Sequence, residues 1–155
     1  MAEPSAFIDF ENFPRQPLSF PVTRRHLLSA ISRELLVRSE REDGMNAPRL
    51  SDLGVLPDDQ LSALIPLIIP DTKILVKEGF IWGKPPKAVR ERKLIPYPSP
   101  AVTAYNQFNG MTTLQTAAEI LARELQWEPA KSFAYSRGVF LWLVWNGVCR
   151  PLRES

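Results

Sequence analysis

The sequence predicts an α+β protein in which three short strands precede three helices, with a helical, Pro-rich extension on the N-terminal side. Two observations carry this. Apolar residues recur at helical spacing up to about residue 65, the period changes from 72 into short runs rich in β-branched and aromatic residues, and helical spacing then returns. The 155-residue chain also holds 15 prolines against 7 glycines, so stiff extended connections should join short elements.

The elements follow in order. Residues 1–22 form an arm in which Pro4, Pro14, Pro17 and Pro21 interleave with Phe7, Phe10, Phe13 and Phe20. Such a segment builds no core of its own, and its rings need cover from the same domain or from a partner. Residues 23–71 read as a helical extension. Thr23 caps a helix to about residue 39 with Leu28, Ile31 and Leu35 at helical spacing, and Gly44 stops it. A short helix over about 57–65 starts at Pro57, with Asp58 and Asp59 complementing its dipole, and "LII" between Pro66 and Pro70 reads as a buried extended connection.

The C-terminal domain spans 72–155. "TKILVKEGFIWG" predicts two strands around Lys77-Glu78-Gly79. A basic loop over 84–93 follows, and "KLIPYP" is a third strand that Pro96 confines to an edge or a bulge. The first of three helices has Ser99 as N-cap and closes at Asn109-Gly110. The second has Thr112 and Gln115 in capping-box register, with Leu114, Ala117, Ala118, Leu121 and Leu125 on one face. The last runs from "EPAKS" to Asn146-Gly147. That order is winged-helix-like. The last helix carries Phe133, Phe140, Leu141 and Val144 on one face and Tyr135, Val139, Trp142 and Trp145 on a broad opposite one, so it must be covered twice. The core supplies one cover. The Phe-rich arm or a ligand supplies the other.

Composition narrows the function classes. Nineteen basic and seventeen acidic residues give a net charge of +2, too weak to announce a nucleic-acid or membrane partner. Cys149, the single cysteine, rules out an internal disulfide and suits a reducing compartment. The start is acidic and proline-broken, unlike a secretory signal. "TRRHLL" over 23–28 imitates a twin-arginine signal but runs on into charged residues. The longest apolar run, over 139–145, is far short of the ~20 residues that span a bilayer. The expectation is a cytoplasmic protein without membrane insertion.

The run from "KLIPYP" through "GVFLWLVWNGV" resembles the PqqD-like peptide chaperones, or RiPP recognition elements, in Asn109-Gly110, Thr113, Ala117, Ala118, Phe140-Leu141 and Val144. The resemblance covers about half the chain. It implies a non-catalytic protein that captures a leader peptide as a strand on the edge of the third strand, packed against the third helix. The partner-binding residues are then Ile95 and Tyr97 on the strand, with Tyr135, Val139 and Trp142 on the helix. The partner is a peptide or protein, with a modifying enzyme or a larger complex as its context.

The runner-up reading is an accessory subunit that staples a larger assembly through the Phe/Pro arm. A winged-helix DNA-binding protein comes third, because the last helix offers Lys131 and Arg137 among Phe, Tyr, Leu and Trp where base reading needs a polar helix face. The loop residues Lys84, Lys87, Arg90, Arg92 and Lys93 read first as a solvated loop. An enzyme is not expected, nor any cofactor. His26 is the lone histidine, Cys149 lies far from it in sequence, a zinc site lacks ligands, and no glycine-rich phosphate loop is present.

Overall fold

The computed structural model describes residues 8–15 and 50–152. The helix expected over 23–39, His26, Phe7 and Phe20 lie outside them. The described chain is a mixed α+β structure with strands preceding helices in its C-terminal part. Its strands are β1 (Pro66–Ile68), β2 (Lys73–Lys77), β3 (Phe80–Lys84), β4 (Arg92–Pro96) and β5 (Cys149–Pro151). Its helices are α1 (Asp58–Leu61), α2 (Pro100–Tyr105), α3 (Leu114–Leu125) and α4 (Pro129–Trp145), with 3-10 turns at Phe10–Asn12 and Leu50–Val55.

The three expected strands form an antiparallel sheet in the order β2-β3-β4. Glu78 and Gly79, with φ of 57° and 80°, close the β2–β3 hairpin as a two-residue turn whose backbone twist matches that of the strands. β3 and β4 pair with a register shift between Ile81 and Trp82, which leaves Leu94 as an extra residue in β4 and bends the strand. The proline of "KLIPYP" thus sits at the end of an edge strand that carries a bulge.

The "LII" connection is a strand. β1 pairs antiparallel with β5, from Pro66↔Pro151 to Ile68↔Cys149, and Leu67 bridges to Asn109. The domain boundary expected at 72 therefore falls inside the packed body, because Ile65 also accepts from the Leu152 N–H at 2.6 Å and Leu64 from the Leu114 N–H at 2.8 Å. A three-residue strand with no alternating pattern carries no periodicity signal, and its partner lies at the far end of the body.

The helix ends follow local chemistry. Pro100 and Pro129 sit in the first turns of α2 and α4, where a missing N–H costs nothing. The cap of α3 is Thr113, whose Oγ1 accepts from the Thr116 N–H at 3.1 Å, so the box expected at Thr112 lies one residue too early. Gln115 instead donates to Glu119 at 2.9 Å. Gln126, at φ 58°, ends α3 and turns the chain into α4 within a few residues.

The core sits between α4, α3 and the two sheets, with Leu94, Phe108, Leu114, Leu121, Phe140, Leu141 and Val148 among its enclosed side chains. Residues 8–15 lie on the remaining side of α4. Phe10 is only 2% exposed, and its backbone carbonyl oxygen lies 1.9 Å from where a Cβ on Gly138 would stand. Glycine at 138 is what lets this segment touch the helix backbone. Gly138→Ala should push the segment off α4 and lower stability by at least ~2 kcal/mol, read as a drop in the urea midpoint; an unchanged midpoint would mean the segment contributes nothing to the fold.

Candidate functional site

The seam where α4 faces β4 is the place to test the partner-binding expectation. Ile95 and Val139 are both 0% exposed and belong to the core, so neither offers a surface to a partner. That corrects their assignment as contact residues, and the reason is geometric. The bulge at Leu94 turns both Leu94 and Ile95 into buried positions, and Val139 lies on α4 between its two covers. Tyr97 is 45% exposed, while Tyr135 and Trp142 are half-buried.

The cover over Tyr135 and Trp142 is the chain's own N-terminal segment. The Phe10 ring meets Tyr135 edge-on at 5.6 Å between centroids, and Phe13 meets Trp142 edge-on at 6.3 Å. Trp127 also meets Tyr135 edge-on, at 5.1 Å. Edge-to-face pairs of this kind add ~0.5–1.5 kcal/mol each beyond the area they bury. Arg15 clamps the end of the segment: its Nε donates to the Gly54 carbonyl at 2.9 Å, its Nη1 to Asp58 at 3.0 Å and its Nη2 to the Leu56 carbonyl. Asp58 also receives Arg137 of α4 at 2.8 Å, so one carboxylate ties arm, α1 and α4 together. Of the alternatives for the second cover of α4, the arm supplies it across residues 8–15.

The outer edge of β4 is largely closed from within. The Trp142 indole donates to the Leu94 carbonyl at 2.6 Å, the Ser99 hydroxyl donates to the Pro96 carbonyl at 2.7 Å, and Pro96 has no N–H. A peptide adding as a strand here would find few groups to pair with.

Arg137 pairs with Asp58 and lies over Phe133, and Lys131 lies over Trp127 at 4.5 Å, so both cations of α4 have partners on the protein. In the basic loop, Arg92 donates to the Asn146 carbonyl at the C-terminal end of α4, Glu91 receives Lys77 at 3.1 Å, and Lys93 lies over Phe80 at 4.4 Å. Cys149 is buried in β5, and burial pushes its thiol far above the ordinary range, which holds it as an inert thiol. An open cleft of about 290 Å³ lies between α3 and the start of α4, lined by Gln115, Ala118, Ala122, Pro129 and Phe133. Among the described residues no three His, Cys, Asp or Glu side chains converge, and no helix is long and apolar enough to cross a membrane. Sequence reasoning missed Asp58 as a shared anchor. Its partners, Arg15 and Arg137, lie far away on either side, and local spacing cannot bring them together.

Compared with family models, with curated proteins and with solved structures, the chain matches none.

Two measurements check this geometry. Trp142→Phe leaves the buried Leu94 carbonyl unpaired and should cost ~1–3 kcal/mol in denaturant unfolding, while Trp145→Phe, which does not bear on that carbonyl, should cost less. Burial raises the Tyr135 phenol to about 12, although a hydrogen bond with the backbone of Ala101 offsets part of the rise. The folded value then lies above the unfolded one, so its stability contribution is complete below ~10 and is lost as pH rises towards 12. Tyr135→Phe should flatten the stability-against-pH curve in that window relative to wild type, and parallel curves would rule the shift out.

Proposed function

We propose that the protein is a non-catalytic adaptor whose α4–β4 seam captures a segment of a peptide or protein partner, with residues 8–15 as the intramolecular occupant that a partner displaces or mimics. The observation that carries this reading is the way the seam is filled. An aromatic pair three residues apart, Phe10 and Phe13, stands on a 3-10 turn and sets its rings against Tyr135 and Trp142. A turn with side-chain anchors is a ligand-like mode of docking, and a partner bearing two rings at that spacing meets the same surface. Side-chain anchoring replaces the strand addition that the PqqD-like resemblance implies, because the β4 edge has few open groups. Tyr97, exposed at the end of β4, is the contact residue that a displacing segment meets first.

The test supplies the occupant in trans. A synthetic peptide covering residues 6–17 is titrated into a variant lacking residues 1–15, following Trp142 fluorescence. Binding should saturate, and the peptide with Phe10→Ala and Phe13→Ala should bind at least ~30-fold more weakly, from about 2 kcal/mol for loss of the two buried rings. A folded deletion variant that ignores the wild-type peptide would sink the seam as a peptide receptor. If the deletion variant does not fold, the full chain carrying Phe10→Ala and Phe13→Ala replaces it.

A further inference from the structure

Among the described residues β2 is the open edge, pairing with β3 alone in register from Lys73↔Lys84 to Lys77↔Phe80. The two-residue turn makes Lys77 and Phe80 a hydrogen-bonded pair, and antiparallel alternation then turns the N–H and C=O groups of Ile74 and Val76 outward. The same two residues are exposed at 38% and 53%, an unusual concentration of β-branched surface on an edge strand. Ile74 and Val76 share the face of Ile81, which is buried, so they extend the underside of the sheet at its rim.

The opposite face of the hairpin is cationic. Lys73, Leu75 and Lys77 stand across from Lys84, Trp82 and Phe80, with Lys93 of β4 behind them. Between residues 73 and 93 the chain carries Lys73, Lys77, Lys84, Lys87, Arg90, Arg92 and Lys93 against Glu78 and Glu91. Glu91 is already held by Lys77 at 3.1 Å. A strand laid along β2 would alternate side chains between these two environments, apolar beneath and cationic above.

We propose that the β2 edge receives an extended segment of a protein partner in which apolar residues alternate with acidic ones. The charge pattern selects among occupants. A second copy pairing antiparallel about Leu75 would set Lys73 against the partner's Lys77 on the same face, a like-charge pair that destabilises the contact. A single-stranded nucleic acid satisfies the lysines but leaves the outward backbone groups of Ile74 and Val76 unused. The rings it would stack on already carry ammonium groups, with Lys77 4.8 Å from Trp82 and Lys93 4.4 Å from Phe80. An acidic-apolar strand satisfies the backbone edge, the apolar rim and the lysine row together. This site does not depend on the seam, where residues 8–15 pack on α4 against Tyr135 and Gly138.

The experiment titrates the full chain with two synthetic peptides about seven residues long, one alternating glutamate with valine and the other lysine with valine. Amide spectra of Ile74 and Val76 and the Trp82 indole resonance report the site. The glutamate peptide should shift those signals and bind at least ~10-fold more tightly than the lysine peptide. The Lys73→Glu, Lys77→Glu double variant, checked for an intact spectrum, should reverse that order. Equal affinity for both peptides overturns the proposal, as do shifts confined to residues 92–97. Tighter binding of oligo-dT than of the glutamate peptide assigns the face to nucleic acid. A concentration-dependent dimer by light scattering, with shifts at Ile74 and Val76, assigns it to self-pairing, and either result replaces the acidic partner.

Discussion

A helix that is apolar around most of its circumference cannot end at one interface, and α4 imposes that requirement on everything else. One side of α4 is met by α3, where the Ser132 hydroxyl reaches the Ala118 carbonyl at 2.5 Å and small residues let the helices approach. Phe140 stacks edge-on with Phe108 deeper in, at 6.1 Å. On another side Phe10 and Phe13 set their rings against Tyr135 and Trp142. The chain meets the demand with a segment remote in sequence, so arm and body form one packing unit.

The polar groups near α4 obey the same economy. The carbonyls on the outer edge of β4 go to Trp142 and Ser99, the C-terminal end of α4 takes the Arg92 guanidinium, and Asp58 joins two arginines from different segments. The indole of Trp142 fills the seam while its N–H reaches the sheet, which is the double duty that favours tryptophan at such positions. These bonds leave β4 a poor template for another strand. They leave β2, which no helix or loop among the described residues covers, as the contrasting edge.

Much of the framework was legible in the sequence because its signals are local. Proline in the first helical turn, Asn-Gly and Glu-Gly turns, and the change of apolar period placed α2, α3, α4 and the β2–β3–β4 sheet. The Pro/Phe reading of the arm anticipated rings that need cover, and the structure shows the cover that Phe10 and Phe13 provide. The misses are non-local. β1 and β5 are three residues each and become strands only by pairing with one another. Ile95 and Val139 appeared on the right elements but inside the core, since a bulge and a second cover move residues from surface to interior without changing the apolar pattern. Asp58 fits a helix dipole role when read locally, and only the fold brings Arg15 and Arg137 to it.

The pairing of Pro66–Ile68 with Cys149–Pro151 joins two strands with the rest of the described body between them in sequence, so β1 is made long before its partner. While the chain emerges from a ribosome, β1 waits unpaired until α4 and the residues beyond it have been made. Any premature stop before residue 149 yields a β1 without a partner and an α4 without its C-terminal anchor. Such fragments leave the β1 edge without its partner strand. Non-local closure of this kind also predicts slow, late consolidation of the native state, governed by chain length between the two strands more than by the strength of either helix.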